Sequence, residues 1–178
     1  QAGINRLSIG LQSAKDEELR ILGRIHTYEE FLDTYRLARE KGFGNINVDL
    51  MSAIPGQTAE WWVDTLQKVA ELRPEHISAY SLIIEEGTPF YETYVKGGAG
   101  DESSGKAAKE REEADLCAGR LPDEEEERQM YRQTKEILKE YSYHRYEISN
   151  YALPGYECRH NLGYWNRTEY LGFGTGAA

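Results

Sequence analysis

The sequence predicts an α/β fold, a curved or barrel-like sheet of mostly parallel strands with helices outside it. Three observations carry that expectation. Short segments that alternate apolar and polar residues are separated by segments of helical periodicity, the strand-to-strand spacing is about 35 residues, and the first two strands are apolar on one face only. Parallel strands need a crossover long enough to hold a helix, so this spacing marks βαβ units. A doubly wound sheet covers both faces, and its central strands would be apolar on both sides. One polar face suits a sheet curving around a ligand-holding interior. An edge strand with one wet face gives the same pattern, and that alternative stays open at this level.

The first strand spans residues 6–12, with Leu7, Ile9 and Leu11 on one face and Arg6, Ser8, Gly10 and Gln12 on the other. A helix follows within 27–41, with Phe31, Leu32, Tyr35 and Ala38 on one stripe. Thr27 is its N-cap with Glu30 as capping-box partner, and Gly42 stops it. The second strand, 45–50, sets Ile46, Val48 and Leu50 against Asn45, Asn47 and Asp49. The helix within 58–72 starts at Thr58, carries Trp62, Leu66, Val69 and Ala70, and ends before Pro74. The third strand, 76–84, is more apolar, and its pattern does not fix which face turns inward. Residues 87–90 form a turn. Pro122 opens a further helix whose dipole favours Asp123 to Glu127, and Met130, Tyr131, Ile137, Leu138 and Tyr141 supply its apolar face. Residues 146–151 are a strand candidate, and 154–178 read as a loop and extended tail rich in Gly and Tyr.

Composition excludes several classes. The chain has 178 residues, 39% of them hydrophobic and 11% aromatic, enough to build a core and too much for wholesale disorder. Its 31 acidic and 21 basic side chains leave a net charge of −10, with no basic cluster for nucleic-acid binding. Residues 101–127 hold eleven acids and four bases, a net of −7, and overlap a stretch without apolar periodicity at 97–121 that reads as a flexible, solvated insertion. No apolar run approaches a membrane span, and nothing in the sequence supports peripheral membrane contact. Two cysteines, Cys117 and Cys158, form neither a CxxC pair nor a disulfide framework, so a reducing cytoplasm is the expected compartment.

In a parallel βα sheet, ligands bind at the carboxyl ends of the strands, where Gln12 and Asp49 fall on the polar face. A vicinal diol offers Asp49 two donors, and Gln12 can both donate and accept. A solvated Gln12 and an Asp49 that caps the next turn are the competing structural readings. His160 stands in the string HNLGYW, where an imidazole beside Tyr164 and Trp165 could ligate a metal or a heme iron. A structural histidine is the alternative, and Cys158 is a second soft ligand nearby.

Six strings make the sequence recognisable: GINRLSIGLQS (3–13), LGRIH (22–26), INVDLMSAIPGQT (46–58), PEHISAYSL (74–82), YEISNYALPGYECRHNLGYW (146–165) and YLGFGTGA (170–177). The chain resembles the oxygen-independent coproporphyrinogen III oxidases of the radical S-adenosylmethionine (SAM) superfamily, and in particular their heme-chaperone branch. The resemblance implies the C-terminal part of a partial (β/α) TIM-like barrel, with three strand–helix units in 1–96, the insertion at 97–121, and a helix, strand and HNxxYW loop in 122–178. It implies that Gln12 and Asp49 hold the ribose of SAM, that Arg24 lies near its carboxylate, that Ile83 packs by the adenine, and that His160 binds heme. SAM, a [4Fe-4S] cluster and heme are the implied cofactors, and a porphyrin or heme, with a heme-accepting protein, the implied partners.

The family's CxxxCxxC cluster motif does not occur in the chain. The sequence is accordingly read as a fragment whose cluster-binding segment lies upstream and which alone lacks radical chemistry. A heme chaperone is the leading expectation for the full-length protein. Radical decarboxylation of coproporphyrinogen III and a non-catalytic structural or interaction role are the alternatives.

Overall fold

A computed structural model describes residues 3–96 and 119–174. Three parallel strands, β1 (Leu7–Gln12), β2 (Ile46–Ser52) and β3 (His76–Ser81), lie side by side in chain order. The short strands β4 (His144–Arg145) and β5 (Asn150–Ala152) pair antiparallel with each other, and β5 joins β3, giving the sheet order β1-β2-β3-β5-β4. The helices are α1 (Asp16–Ile21), α2 (Tyr28–Glu40), α3 (Ala59–Glu71), α4 (Glu124–Glu140) and α5 (Arg159–Trp165), with a π-helical segment at Tyr91–Lys96.

The capping expectations hold. Thr27 and Glu30 close a reciprocal capping box on α2, and Thr58 accepts the Trp61 N–H at the start of α3. The α4 helix starts two residues after Pro122, because Asp123 is its N-cap and closes a second box with Glu126. One face of the sheet carries Val48, Leu50, Ile77 and Tyr151, buried under Phe31, Tyr35 and Ala38 of α2, Trp62, Leu66 and Val69 of α3, and Met130 and Leu138 of α4. Each large apolar side chain buried there stabilises the fold by about 1.5–3 kcal/mol. Trp62 also donates from Nε1 to the Met130 carbonyl (3.2 Å) and Thr134 Oγ1 (2.9 Å), which pins α4 to α3. At the start of the strands, Glu75 accepts from Arg39 of α2 (2.8 Å) and from the Ile46 N–H (2.9 Å). The end opposite the candidate site is thus held by structural contacts.

Several expectations are corrected. The third strand stops at Ser81, short of residue 84, and its inward residues are Ile77 and Ala79. Tyr131 is exposed, since Thr134 takes the place on the buried stripe of α4 between Met130 and Leu138. The strand candidate at 146–151 becomes a hairpin: β4 precedes it and only Asn150 and Tyr151 pair within it. Residues 159–165, expected as loop, form α5, and the six-residue α1 starts without a side-chain cap at Lys15. Most of the acidic insertion, 97–118, lies outside the described residues. Its end, Gly119 to Leu121, is fixed by a hydrogen bond from the Gly56 N–H to the Arg120 carbonyl (2.8 Å) and by an Arg120–Glu126 ion pair. Among the described residues no helix is long and apolar enough to cross a membrane.

Candidate ligand site at the strand ends

The second face of the sheet is polar. Register places Ser8 and Gly10 of β1 beside Asn47 and Asp49 of β2, and these beside His76 and Ser78 of β3. Tyr80 continues that row toward the carboxyl end. The second strand runs on to Ser52, two residues past its expected end, so Asp49 stands mid-strand; it accepts from Ser8 Oγ at Oδ2 (3.0 Å) and from Asn47 Nδ2 at Oδ1 (2.7 Å), a sheet-face carboxylate that does not cap a turn. A carboxylate accepts about four hydrogen bonds, two per oxygen. With one donor on each oxygen, Asp49 keeps a lone pair on each for an incoming pair of hydroxyls.

Gln12 ends β1 where the register slips, in a left-handed conformation (φ 70°), and is buried. A non-glycine residue with positive φ stores strain that the surrounding structure must offset. Its amide folds back over Gly10: a Cβ at Gly10 would stand 2.7 Å from Gln12 Nε2. Gln12 Oε1 is buried without a partner among the described residues, which leaves an acceptor for a ligand donor. Tyr80 ties the group together. Burial pushes its phenol above the ordinary value and the Asp49 charge adds to this, while the Arg24 charge and a hydrogen bond with Gln12 pull it back. The charges of Asp49 and Arg24 and the Gln12 side chain, from a neighbouring strand, a loop and a strand end, thus all bear on one hydroxyl. Arg24 is exposed, free to meet an anion. Ile83 lies two residues beyond β3 and is 79% exposed, an apolar wall outside the core.

Sequence reasoning missed Tyr80 and Glu18. Tyr80 was legible in the alternation His76, Ser78, Tyr80 against Ile77 and Ala79, masked by apolar Leu82 to Ile84. Glu18 of α1 is fully buried and accepts from Ser13 Oγ and Gln57 Nε2, linking the loops after β1 and β2. Burial pushes its carboxyl up, against the two hydrogen bonds and the Lys15 charge. Nothing in the pattern around Glu18 announces a buried acid.

His160 is exposed on α5 and sits edge-on against Tyr164 (4.8 Å between centroids), which meets Tyr170 in the same way (5.3 Å). A hollow lined by Arg159, His160, Tyr164 and Tyr170 lies on this side of α5. A cavity of about 570 Å³, walled by Tyr131, Arg145, Tyr146, Leu162 and Trp165, lies on another. Both combine aromatic faces with a guanidinium.

Comparison with known proteins agrees with this geometry. Residues 1–69 match the profile of the Radical SAM superfamily. The heme chaperone HemW of Bacillus subtilis is 38% identical over 177 residues, covering 99% of this chain and 41% of that protein. HemW of Escherichia coli is 37% identical over 177 residues, covering 99% and 40%. Among solved structures, coproporphyrinogen III oxidase HemN from Escherichia coli, described as a radical SAM enzyme, superposes with a TM-score of 0.64 at 25% identity, over 87% of this chain and 31% of that one. A mostly parallel sheet with helices on one face and a polar site at the strand ends is thus that of a radical SAM protein. Within that superfamily, the chain is similar over nearly its whole length to HemN-like proteins, the heme chaperones among them. It spans about two fifths of the length of the curated relatives it matches.

Membership implies SAM and an iron–sulfur cluster. The strand-end residues fit the first, through the two open lone pairs of Asp49 and the unpartnered Gln12 Oε1. They do not fit the second: among the described residues no group of three His, Cys, Asp or Glu is placed to hold a metal ion.

Proposed function

We propose that this chain supplies the ribose- and carboxylate-binding part of a SAM site, and the heme-binding helix, of a heme chaperone. The observation that carries the reading is the lone pair left open on each Asp49 oxygen, together with the buried, unpartnered Gln12 Oε1, on the polar face of the parallel strands, in a chain whose HNLGYW string lies on the helix α5. In this reading Asp49 takes the ribose hydroxyls, Gln12 Oε1 accepts a further ligand donor, Arg24 meets the ligand carboxylate, and Ile83 walls the base. His160 offers an imidazole to heme iron, with Arg159 of α5 and Arg145 in the cavity beside it to meet propionates. The relatives' printed names, heme chaperone HemW, support this reading, and the cytoplasm is the proposed compartment.

The test uses the full-length protein. His160→Ala weakens hemin binding and alters its absorption spectrum, whereas unchanged affinity and spectrum remove His160 as a ligand. Asp49→Ala leaves the fold intact and weakens SAM binding through lost charge-assisted bonds, each worth about 1.5–3 kcal/mol. Formation of protoporphyrinogen IX at enzymatic turnover under anaerobic conditions would replace the chaperone reading with the oxidase one.

A further inference from the structure

Asp49 and α5 lie on different elements, 110 residues apart in sequence from Asp49 to Arg159, yet an unbroken line of side chains connects them. Asn47 Nδ2 donates to Asp49 Oδ1 and to Ser8 Oγ, both at 2.7 Å. Its Oδ1 therefore faces His76 Nδ1 (2.5 Å) and Ser78 Oγ (3.2 Å) and must accept from both. His76, 1% exposed, is held neutral, because burial first and the Arg6 charge second push its pKa down to about 4. With the proton on Nδ1, Nε2 is an acceptor, and the Tyr146 hydroxyl donates to it (2.7 Å). The Tyr146 oxygen then accepts from Asn161 Nδ2 of α5 (3.2 Å) and from the N–H of Cys158, the α5 N-cap (3.3 Å). The Tyr146 ring also meets His76 edge-on, at 5.6 Å between centroids.

Every proton on this line points from α5 toward Asp49. Turning Asn47 or His76 round leaves a buried donor or acceptor unpaired, so the inner part of the line has one low-energy arrangement and transmits displacement to the half-buried Tyr146 and Asn161. A diol on Asp49 adds donors to the oxygens that Asn47 and Ser8 already use, which loosens the first bond of the chain. A ligand that moves α5 acts on the last.

We propose that His76 and Tyr146 are positioning residues that couple the Asp49 site to α5, so that a ligand bound at either end changes affinity at the other. The inference rests on the function proposed above for the identity of the two ligands, and on geometry alone for the link. Linkage is reciprocal, so one measurement in either direction suffices.

The hemin Kd of the full-length protein, measured with and without saturating SAM, is expected to differ by about fivefold or more in the wild type, the low end of ordinary coupling. In Tyr146→Phe, which keeps the ring against His76 and in the cavity wall and removes only the hydroxyl, the ratio falls to about one whatever the hemin Kd measured without SAM. An unchanged ratio in Tyr146→Phe, or a wild-type ratio of one, overturns the coupling. A ligand-free arm separates the link from the function: imidazole nitrogen shifts should report His76 protonated at Nδ1, and Asp49→Asn should move the side-chain amide resonance of Asn161. An unmoved Asn161 sinks the link even if both ligands bind. Absence of hemin and SAM binding in the wild type sinks the ligand assignment, and the coupling of ligands with it, while the nitrogen shifts still judge the hydrogen-bonded line.

Discussion

At Gly10 a missing side chain does chemical work. The glycine has ordinary extended backbone, so alanine there meets no conformational penalty, but its Cβ would overlap Gln12 Nε2. The far end of a glutamine can swing away, so Gly10→Ala is expected to change stability by less than about 1 kcal/mol. The displaced amide no longer presents Oε1 to the ligand, and SAM affinity should fall by about 2- to 10-fold, the worth of one neutral hydrogen bond. Isothermal titration beside a urea melt checks both halves, and equal affinity would show that Gln12 is not a contact. Alternation made Gln12 and Asp49 legible from sequence, because a polar residue on a strand's second face stands out when the first face is apolar. His76 and Tyr146 were illegible in their roles. Their partners come from residues 29 and 70 positions away from His76, and no local pattern encodes such a meeting.

Elements with strong local chemistry were read well. Those whose ends depend on tertiary contacts were not. Thr27 with Glu30 announces α2, whereas α1 follows Lys15, which makes no side-chain cap, and α5 follows Cys158, which makes none either. Both short helices rest on packing and on hydrogen bonds with residues outside them, such as Gln57 Nε2 to Glu18 and Asn161 Nδ2 to Tyr146. The α4 cap offers a direct test. Asp123 Oδ1 accepts from the Glu125 and Glu126 N–H groups, and Glu126 reaches back to the Asp123 N–H (2.7 Å). Asp123→Ala should cost about 1 kcal/mol in denaturant unfolding. Asp123→Asn should recover most of that, and an Asn variant as unstable as Ala would locate the effect in charge.

For the whole molecule, pH is the clearest lever. His76 binds its proton less readily in the fold (about 4) than in an unfolded chain (about 6.5). Below pH 6.5 the unfolded state takes up a proton that the native state refuses, so this contribution is complete above 6.5 and is lost as pH falls toward 4, up to about 3 kcal/mol. Glu18 acts the other way, since its raised carboxyl pKa favours the fold on acidification. His76→Gln leaves Glu18 in place, so a smaller loss of stability between pH 7 and pH 4.5 than in wild type isolates the histidine. An identical loss would assign the acid sensitivity elsewhere.

The strand order carries one more consequence, for the path by which the chain assembles. β1, β2 and β3 are each joined to the next by a single crossover, and α2 and α3 lie between them in sequence. Their contacts close over tens of residues. The α4 helix reaches Trp62 from 68 and 72 positions away, and β5 pairs with the edge of β3 over a comparable span. Contacts of long sequence separation form late, since their loop must close before any bond repays it. The portion bearing His160 is therefore expected to join last. A destabilised variant would release that portion first, while the β1–β3 frame, with Asp49 and Gln12 on it, persists as a partly folded species.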